Sequence, residues 1–214
     1  MKEKIIHRYS KTEEFLNIAT HGLGLLLSVV ALPFLIIRSF NFDGFLKPFS
    51  FIVYGCSLII LYAASTFYHA AKQDKLRRRL NIFDHAAIYV LIAGTYTPFT
   101  IIVLEGATGW VIFGLTWFFA LTGIILKLFF TGKYDRLSTI MYVLMGWQIV
   151  FAIKPLLNSL PTEGLQLLIW GGVFYTVGAI LYSIKKIPYN HAIFHVFVLL
   201  GSASHFLCIY YHIS

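Results

Sequence analysis

Charged residues are scarce in this chain of 214 residues. They make up 12% of the sequence, about half the fraction typical of soluble proteins, while hydrophobic residues make up 58%. This balance excludes a soluble domain with a polar exterior. Cysteine is also scarce, and Cys56 and Cys208 both lie inside apolar runs, which argues against a disulfide framework or a thiolate metal site. The chain lacks internal repeats and any loop long enough for a second domain.

Seven apolar runs dominate what is present, each about 20 residues long, which is the length of a helix that crosses a bilayer. They cover residues 18–37, 49–68, 82–104, 110–130, 137–157, 165–184 and 192–211. We therefore predict an all-α integral membrane protein, a seven-transmembrane helix bundle over residues 18–211. Residues 1–17 are expected to form a cytoplasmic N-terminal segment rather than a cleaved signal, because the apolar run that follows is too long and lacks an A-x-A site.

The basic residues are distributed unevenly between the two sides of the membrane. If the N-terminus is cytoplasmic, all but three of the 17 Lys and Arg residues fall on the inner side, and the exceptions are Arg38, Lys47 and Lys154. Cytoplasmic loops retain such an excess, so we predict a cytoplasmic N-terminus and an outer C-terminus. The net charge of +8 is then explained by anionic lipids at the inner leaflet, and no nucleic-acid partner is expected.

With this orientation, polar residues of four spans fall at one depth near the cytoplasmic face. These residues are Glu14, Asn17 and His21 at the entry of the first span, Ser65 and His69 at the inner end of the second, Asp84 and His85 in the first turn of the third, and His191 and His195 at the start of the seventh. Polar side chains inside a membrane are costly, which makes this group the candidate functional site.

The spacing of the histidines predicts a metal site. His191 and His195 are four residues apart, so on a helix their imidazoles point the same way, about one turn apart. Together with His69 they would offer three neutral ligands and leave one position open, which is the arrangement of catalytic zinc. Asp84 would then contact a water or orient a ligand histidine, and Ser65, four residues before His69, would act similarly.

Histidines in these positions also have other interpretations. A histidine near a membrane interface can simply contact lipid headgroups, and His85 beside Asp84 is a candidate helix cap. Haem usually takes axial ligands from different helices on opposite sides, so a pair on one helix face suits a compact cation better. His205 lies roughly 15 Å beyond His195 along the same helix, which is too far to share a metal, and is expected to pack or to form hydrogen bonds.

Three motifs carry a family resemblance over nearly the whole chain. They are E-x-x-N-x-x-T-H (Glu14, Asn17, Thr20, His21), S-x-x-x-H followed by an aspartate (Ser65, His69, Asp84), and H-x-x-x-H (His191, His195). The chain resembles the progestin and adiponectin receptor superfamily, and more closely its bacterial haemolysin III branch. The resemblance implies seven spans in a bacterial plasma membrane and zinc held by His69, His191 and His195. It also implies that Asp84 and Ser65 contact the water or the ligands, whereas the role of Glu14 stays open.

The sequence supports hypotheses of different functional classes. The first is a zinc-dependent hydrolase of lipid amides or esters, since relatives in the superfamily are linked to ceramidase-like activity. The second is a non-enzymatic membrane protein with a structural zinc, either a pore-forming haemolysin or a regulator of membrane lipids. An ion-coupled transporter that uses Asp84 is disfavoured, because no pair of interrupted helices occupies matching halves. Membrane lipids are the expected partners, and the oligomeric state is not set by the sequence.

Overall fold

The computed structural model describes residues 8–41, 43–104 and 106–213. Eight α-helices follow one another within these residues: α1 (Lys11–Ser39), α2 (Leu46–Ala70), α3 (Asp74–Pro98), α4 (Gly106–Phe130), α5 (Asp135–Gly146), α6 (Ile153–Ser159), α7 (Thr162–Ser183) and α8 (Asn190–His212). A π-helical turn, Phe99–Val103, extends α3, and a 3-10 segment, Gln148–Ala152, joins α5 to α6. When α3 is counted with its π-helical turn and α5 to α6 is counted as one span, the described residues contain seven helical segments long and apolar enough to cross a membrane. This number agrees with the prediction.

The first helix begins before its apolar run. The Ser10 side chain caps α1 by accepting a hydrogen bond from the backbone N–H of Glu13 (3.2 Å), and Glu13 and Glu14 lie in the first turn. A capping oxygen and acidic side chains both stabilise the positive end of a helix. The helix therefore starts at Lys11 rather than at residue 18, and it presents Glu14 towards the neighbouring helices.

The third helix corrects three predictions. It begins at Asp74, eight residues before the predicted boundary at residue 82, because Lys, Leu and Arg are good helix formers that continue the helix beyond the apolar run. Asp84 therefore lies nearly three turns into α3, and the prediction that it occupies the first turn is wrong. His85 is likewise no cap, since its Nδ1 bonds the Asn81 carbonyl (2.9 Å) within the helix.

The fifth span is interrupted, although the sequence predicted a continuous helix over residues 137–157. It consists of α5, the 3-10 segment and α6. The Tyr96 hydroxyl donates to the Gly146 carbonyl (2.8 Å) and accepts from the Ile149 N–H (2.8 Å). These two bonds satisfy backbone groups that a change of helical type releases.

Large buried side chains in the middle of the bundle come mainly from α2, α3 and α8, while α1 and α4 leave many apolar side chains exposed. Exposed apolar faces of this kind suit contact with lipid tails. Both cysteines are free thiols; Cys56 is partly buried, and Cys208 is buried and donates from its thiol to the Gly164 carbonyl (3.1 Å). The packing brings the start of α1, the end of α2 and the start of α8 together at one end of the bundle.

Candidate metal centre

Three buried histidines meet where the last turn of α2 lies against the first two turns of α8. His191 Nε2 lies 3.1 Å from His69 Nε2 and 3.1 Å from His195 Nε2. All three ligand atoms lie within 4.8 Å of one another, close enough to hold one metal ion. The convergence predicted from the spacing and depth of His69, His191 and His195 is therefore confirmed.

Acceptors behind two of the histidines determine which ring nitrogen carries the proton. His69 Nδ1 lies 2.7 Å from Glu14 Oε2, and His195 Nδ1 lies 3.3 Å from the Asn17 carbonyl oxygen. A carboxylate and a backbone carbonyl only accept hydrogen bonds, so each Nδ1 carries the proton. The Nε2 atoms of both rings therefore direct lone pairs at the centre of the cluster.

This arrangement of lone pairs fits a cation. His191 Nε2 faces two acceptors, and its single N–H, if present, can satisfy only one of them well. A zinc ion with Zn–N bonds of about 2.0–2.1 Å holds tetrahedral ligands about 3.3 Å apart, close to the observed separations. The donor set of three imidazoles, with no thiolate, also suits zinc with one position left open.

Arg77 was not singled out from the sequence, yet it anchors the carboxylate behind His69. Its guanidinium forms an ion pair with Glu14 and is almost completely buried. The other terminal nitrogen, Nη1, donates to the carbonyls of Tyr68 (3.3 Å), His69 (3.3 Å) and Ala71 (3.4 Å), where α2 ends. Arg77 thus ties α1, the end of α2 and α3 together behind the cluster.

Tyr9 is a second residue that sequence reasoning missed. Its ring stacks on His191 with a centroid separation of 4.7 Å, and its backbone N–H donates to Glu14 Oε1 (3.3 Å). Arg8 continues the segment by pairing with Asp74 at the start of α3. Burial raises the pKa of the Tyr9 phenol, and the nearby Asp84 charge adds to the shift, so the hydroxyl stays protonated at physiological pH.

The other predicted site residues surround the same cluster. Ser65 and Asp84 border one cavity with His191 and His195, and no described residue forms a hydrogen bond with the buried Ser65 hydroxyl. His21 stacks on His195 with ring centroids 3.5 Å apart, but it is not one of the three converging ligands. Asn17 contributes its backbone carbonyl, as described above for His195. The polar group predicted at one depth is therefore brought together.

The cavity extends away from the histidines into the bundle. Its volume is about 150 Å³, and its lining is mostly apolar, with Ile88, Leu91, Val143 and Val198 among the contributing side chains. The cavity connects the cluster, through side chains of α3, α5, α7 and α8, to His205.

Comparison with known proteins agrees with the motifs. Residues 9–206 match the family described as haemolysin-III related. The chain is 45% identical over 201 residues to Hemolysin-3 of Bacillus cereus (94% of this chain, 92% of that protein) and 47% identical over 200 residues to the Hemolysin-3 homolog of Bacillus subtilis (94% of each). It is 29% identical over 164 residues to the human monocyte to macrophage differentiation factor (74% and 68%). This more distant match supports the wider progestin and adiponectin receptor superfamily. The chain is a multi-pass membrane protein that belongs to the haemolysin-III-related family.

Proposed function

We propose that this protein is a zinc-dependent hydrolase of lipid amide or ester bonds, with His69, His191 and His195 as the ligands. The observation that carries the proposal is the convergence of imidazole lone pairs at the end of a mostly apolar cavity that Asp84 also borders. An apolar cavity accommodates an acyl chain. The Asp84 carboxylate and the zinc ion would then lie beside the amide or ester group at the polar end of the lipid. When bound, zinc would lower the pKa of a water molecule and polarise a carbonyl.

The residues of the chain would perform the remaining steps. Asp84 would accept a proton from the attacking water and deliver it to the leaving amine or alcohol, which balances the consumption of one water. Ser65 would donate a hydrogen bond to the water or to the carbonyl oxygen, since no described residue occupies its hydroxyl. The protonated Tyr9 phenol, stacked on His191, would help to exclude bulk water from this end of the site.

The hydrolase is tested with purified protein in detergent micelles. Elemental analysis should find one zinc per chain, and the His191→Ala variant should lose it. A panel of lipid amides and esters, ceramides first, should be hydrolysed by the zinc-bound protein and not by Asp84→Asn, which keeps the shape of the side chain. Absence of hydrolysis across the panel by zinc-loaded protein would contradict the proposal.

A second candidate is a non-enzymatic membrane protein in which zinc is structural. The observation that favours it is the position of the cluster and of its supporting groups, which join α1, α2, α3 and α8. In that case a chelator should lower thermal stability with no activity to lose. The names of the Bacillus relatives suggest lysis, so a leakage assay on liposomes belongs beside this measurement, with His69→Ala as the variant that separates a zinc-dependent from a zinc-independent effect.

A further inference from the structure

The cavity reaches a second polar group that the proposed hydrolysis does not use. His205 borders the cavity ten residues after His195 on α8, roughly 15 Å along the helix at 1.5 Å per residue. Most of the lining between the two histidines is apolar. The buried His205 imidazole is therefore a polar group in a mostly apolar part of the cavity.

The orientation of the His205 ring follows from its contact with α7. Its Nε2 lies 3.1 Å from the Leu168 carbonyl oxygen, which only accepts, so Nε2 carries the proton. The same edge of the ring lies against Gly171, where an added Cβ would come within 2.2 Å of Nε2. The Nδ1 edge consequently faces away from α7 and carries a lone pair.

This lone pair has no partner among the described residues, although the nitrogen is buried. The neighbouring Tyr175 ring lies 5.5 Å away, and its hydroxyl is bonded to Ser202 (2.8 Å). A buried acceptor without a donor destabilises a folded protein. A molecule in the cavity that brings an O–H group to this position would remove the penalty.

We propose that His205 forms a subsite for a hydroxyl group carried on the hydrocarbon chain of a lipid. An extended alkyl chain with C–C bonds of about 1.5 Å covers 15 Å with about a dozen carbon atoms. A lipid whose carbonyl end lies at the histidine cluster would therefore place a hydroxyl near its twelfth carbon beside His205. The cavity would thus prefer a hydrocarbon chain that carries a hydroxyl group. Only the placement of the carbonyl end at the cluster rests on the proposed function.

Free fatty acids test the subsite independently of hydrolysis, because they contain no bond for the site to cut. Stearic acid, 12-hydroxystearic acid and 2-hydroxystearic acid are compared by displacement of radiolabelled stearic acid from the purified full chain. The wild type should bind 12-hydroxystearic acid about two- to tenfold more tightly than stearic acid, the gain expected from one hydrogen bond. The 2-hydroxy acid should lack this advantage if its hydroxyl lies far from His205.

Replacement of His205 should abolish the preference. His205→Phe keeps a planar ring but has no acceptor, so the two affinities should become equal, whereas His212→Phe, on the same helix and outside the lining of the cavity, should leave the ratio unchanged. The ratio within one variant is insensitive to a general loss of stability, and His205→Leu serves if the Phe variant does not fold. A wild type without the preference, a preference that survives in both His205 variants, or no binding of any acid would overturn the proposal.

Discussion

Glu13 and Glu14 are adjacent and chemically identical, but among the contacts of the described residues it is Glu14 that pairs with a ligand histidine of the cluster. Its two oxygens separate two tasks, since Oε2 accepts from His69 Nδ1 and Oε1 pairs with Arg77. The carboxylate fixes the tautomer of the His69 ring and keeps its Nε2 lone pair directed at the metal position. Glu14 therefore acts through His69 as a positioning residue.

Replacing Glu14 by Gln should weaken zinc binding by about 10–100-fold, the usual cost of losing a partner of a metal-binding histidine. Gln retains an oxygen that can accept from His69, but it carries no charge. Competition with a chromophoric zinc chelator measures the affinity, and Glu13→Gln is the matched control. Equal affinities in the two variants would show that Glu14 does not act through His69.

Arg77 differs from the exposed Arg78 and Arg79 in being buried and in pairing with Glu14. Arg77→Ala would leave the Glu14 carboxylate and three carbonyls of the α2 terminus without their donor, and should reduce the free energy of unfolding by about 3–5 kcal/mol. The stability of Arg77→Lys should lie between those of the wild type and Arg77→Ala, because one ammonium cannot replace the planar guanidinium. The exposed Arg79→Ala should change stability by less than about 0.5 kcal/mol. Thermal unfolding in detergent compares the three, and equal loss in Arg79→Ala would contradict the assignment.

At the scale of the elements, small residues determine how closely helices approach. An added Cβ at Gly94 of α3 would lie 2.3 Å from Ser57 Oγ and 2.5 Å from Ser57 Cβ on α2, whereas one at Gly114 of α4 would meet nothing within 4 Å. Close helix approach within membranes depends on residues of this size. The α2–α3 pair carries His69, Ser65 and Asp84, so this crossing also sets the geometry of the site.

Gly94→Ala should therefore separate α2 from α3 and lower stability by about 1–3 kcal/mol, the usual cost of overpacking. Gly114→Ala should be neutral or slightly stabilising, because alanine is the better helix former by about 1 kcal/mol. Thermal unfolding of the two variants in the same detergent is the measurement. Equal midpoints would show that the crossing tolerates a methyl group.

Predictions for whole elements succeeded where hydropathy determines the answer, and they failed at the start of α3 and at the break within the fifth span. The seven spans followed from seven apolar runs. The start of α3 did not, because residues 75–79 are mostly basic yet helical, and the pairing of Arg77 with Glu14 of α1 is absent from any local pattern. The break after α5 was also missed, since the Tyr96 hydroxyl that satisfies its backbone groups comes from a helix about fifty residues earlier.

At the scale of the whole molecule, the distribution of basic residues predicts a cytoplasmic N-terminus. A cysteine introduced at exposed Asn41, between α1 and α2, should react with a membrane-impermeant maleimide on intact cells, whereas one at exposed Lys133, between α4 and α5, should react only after the cells are permeabilised. The parent chain, in which Cys208 is buried and Cys56 partly buried, is the control for background labelling. The reverse pattern would overturn the predicted orientation.

The sequence by itself determined the number of apolar spans, the pairing of His191 with His195 and the gathering of the polar residues at one end of the bundle. These properties depend on apolar length and on the period of one helix, both of which are local. Only the tertiary structure decided that Glu14 and Arg77 support His69 and that the cavity ends at His205. Those contacts join residues on different helices, and the rotation of each helix about its axis, set by packing, selects which of several identical side chains faces the site.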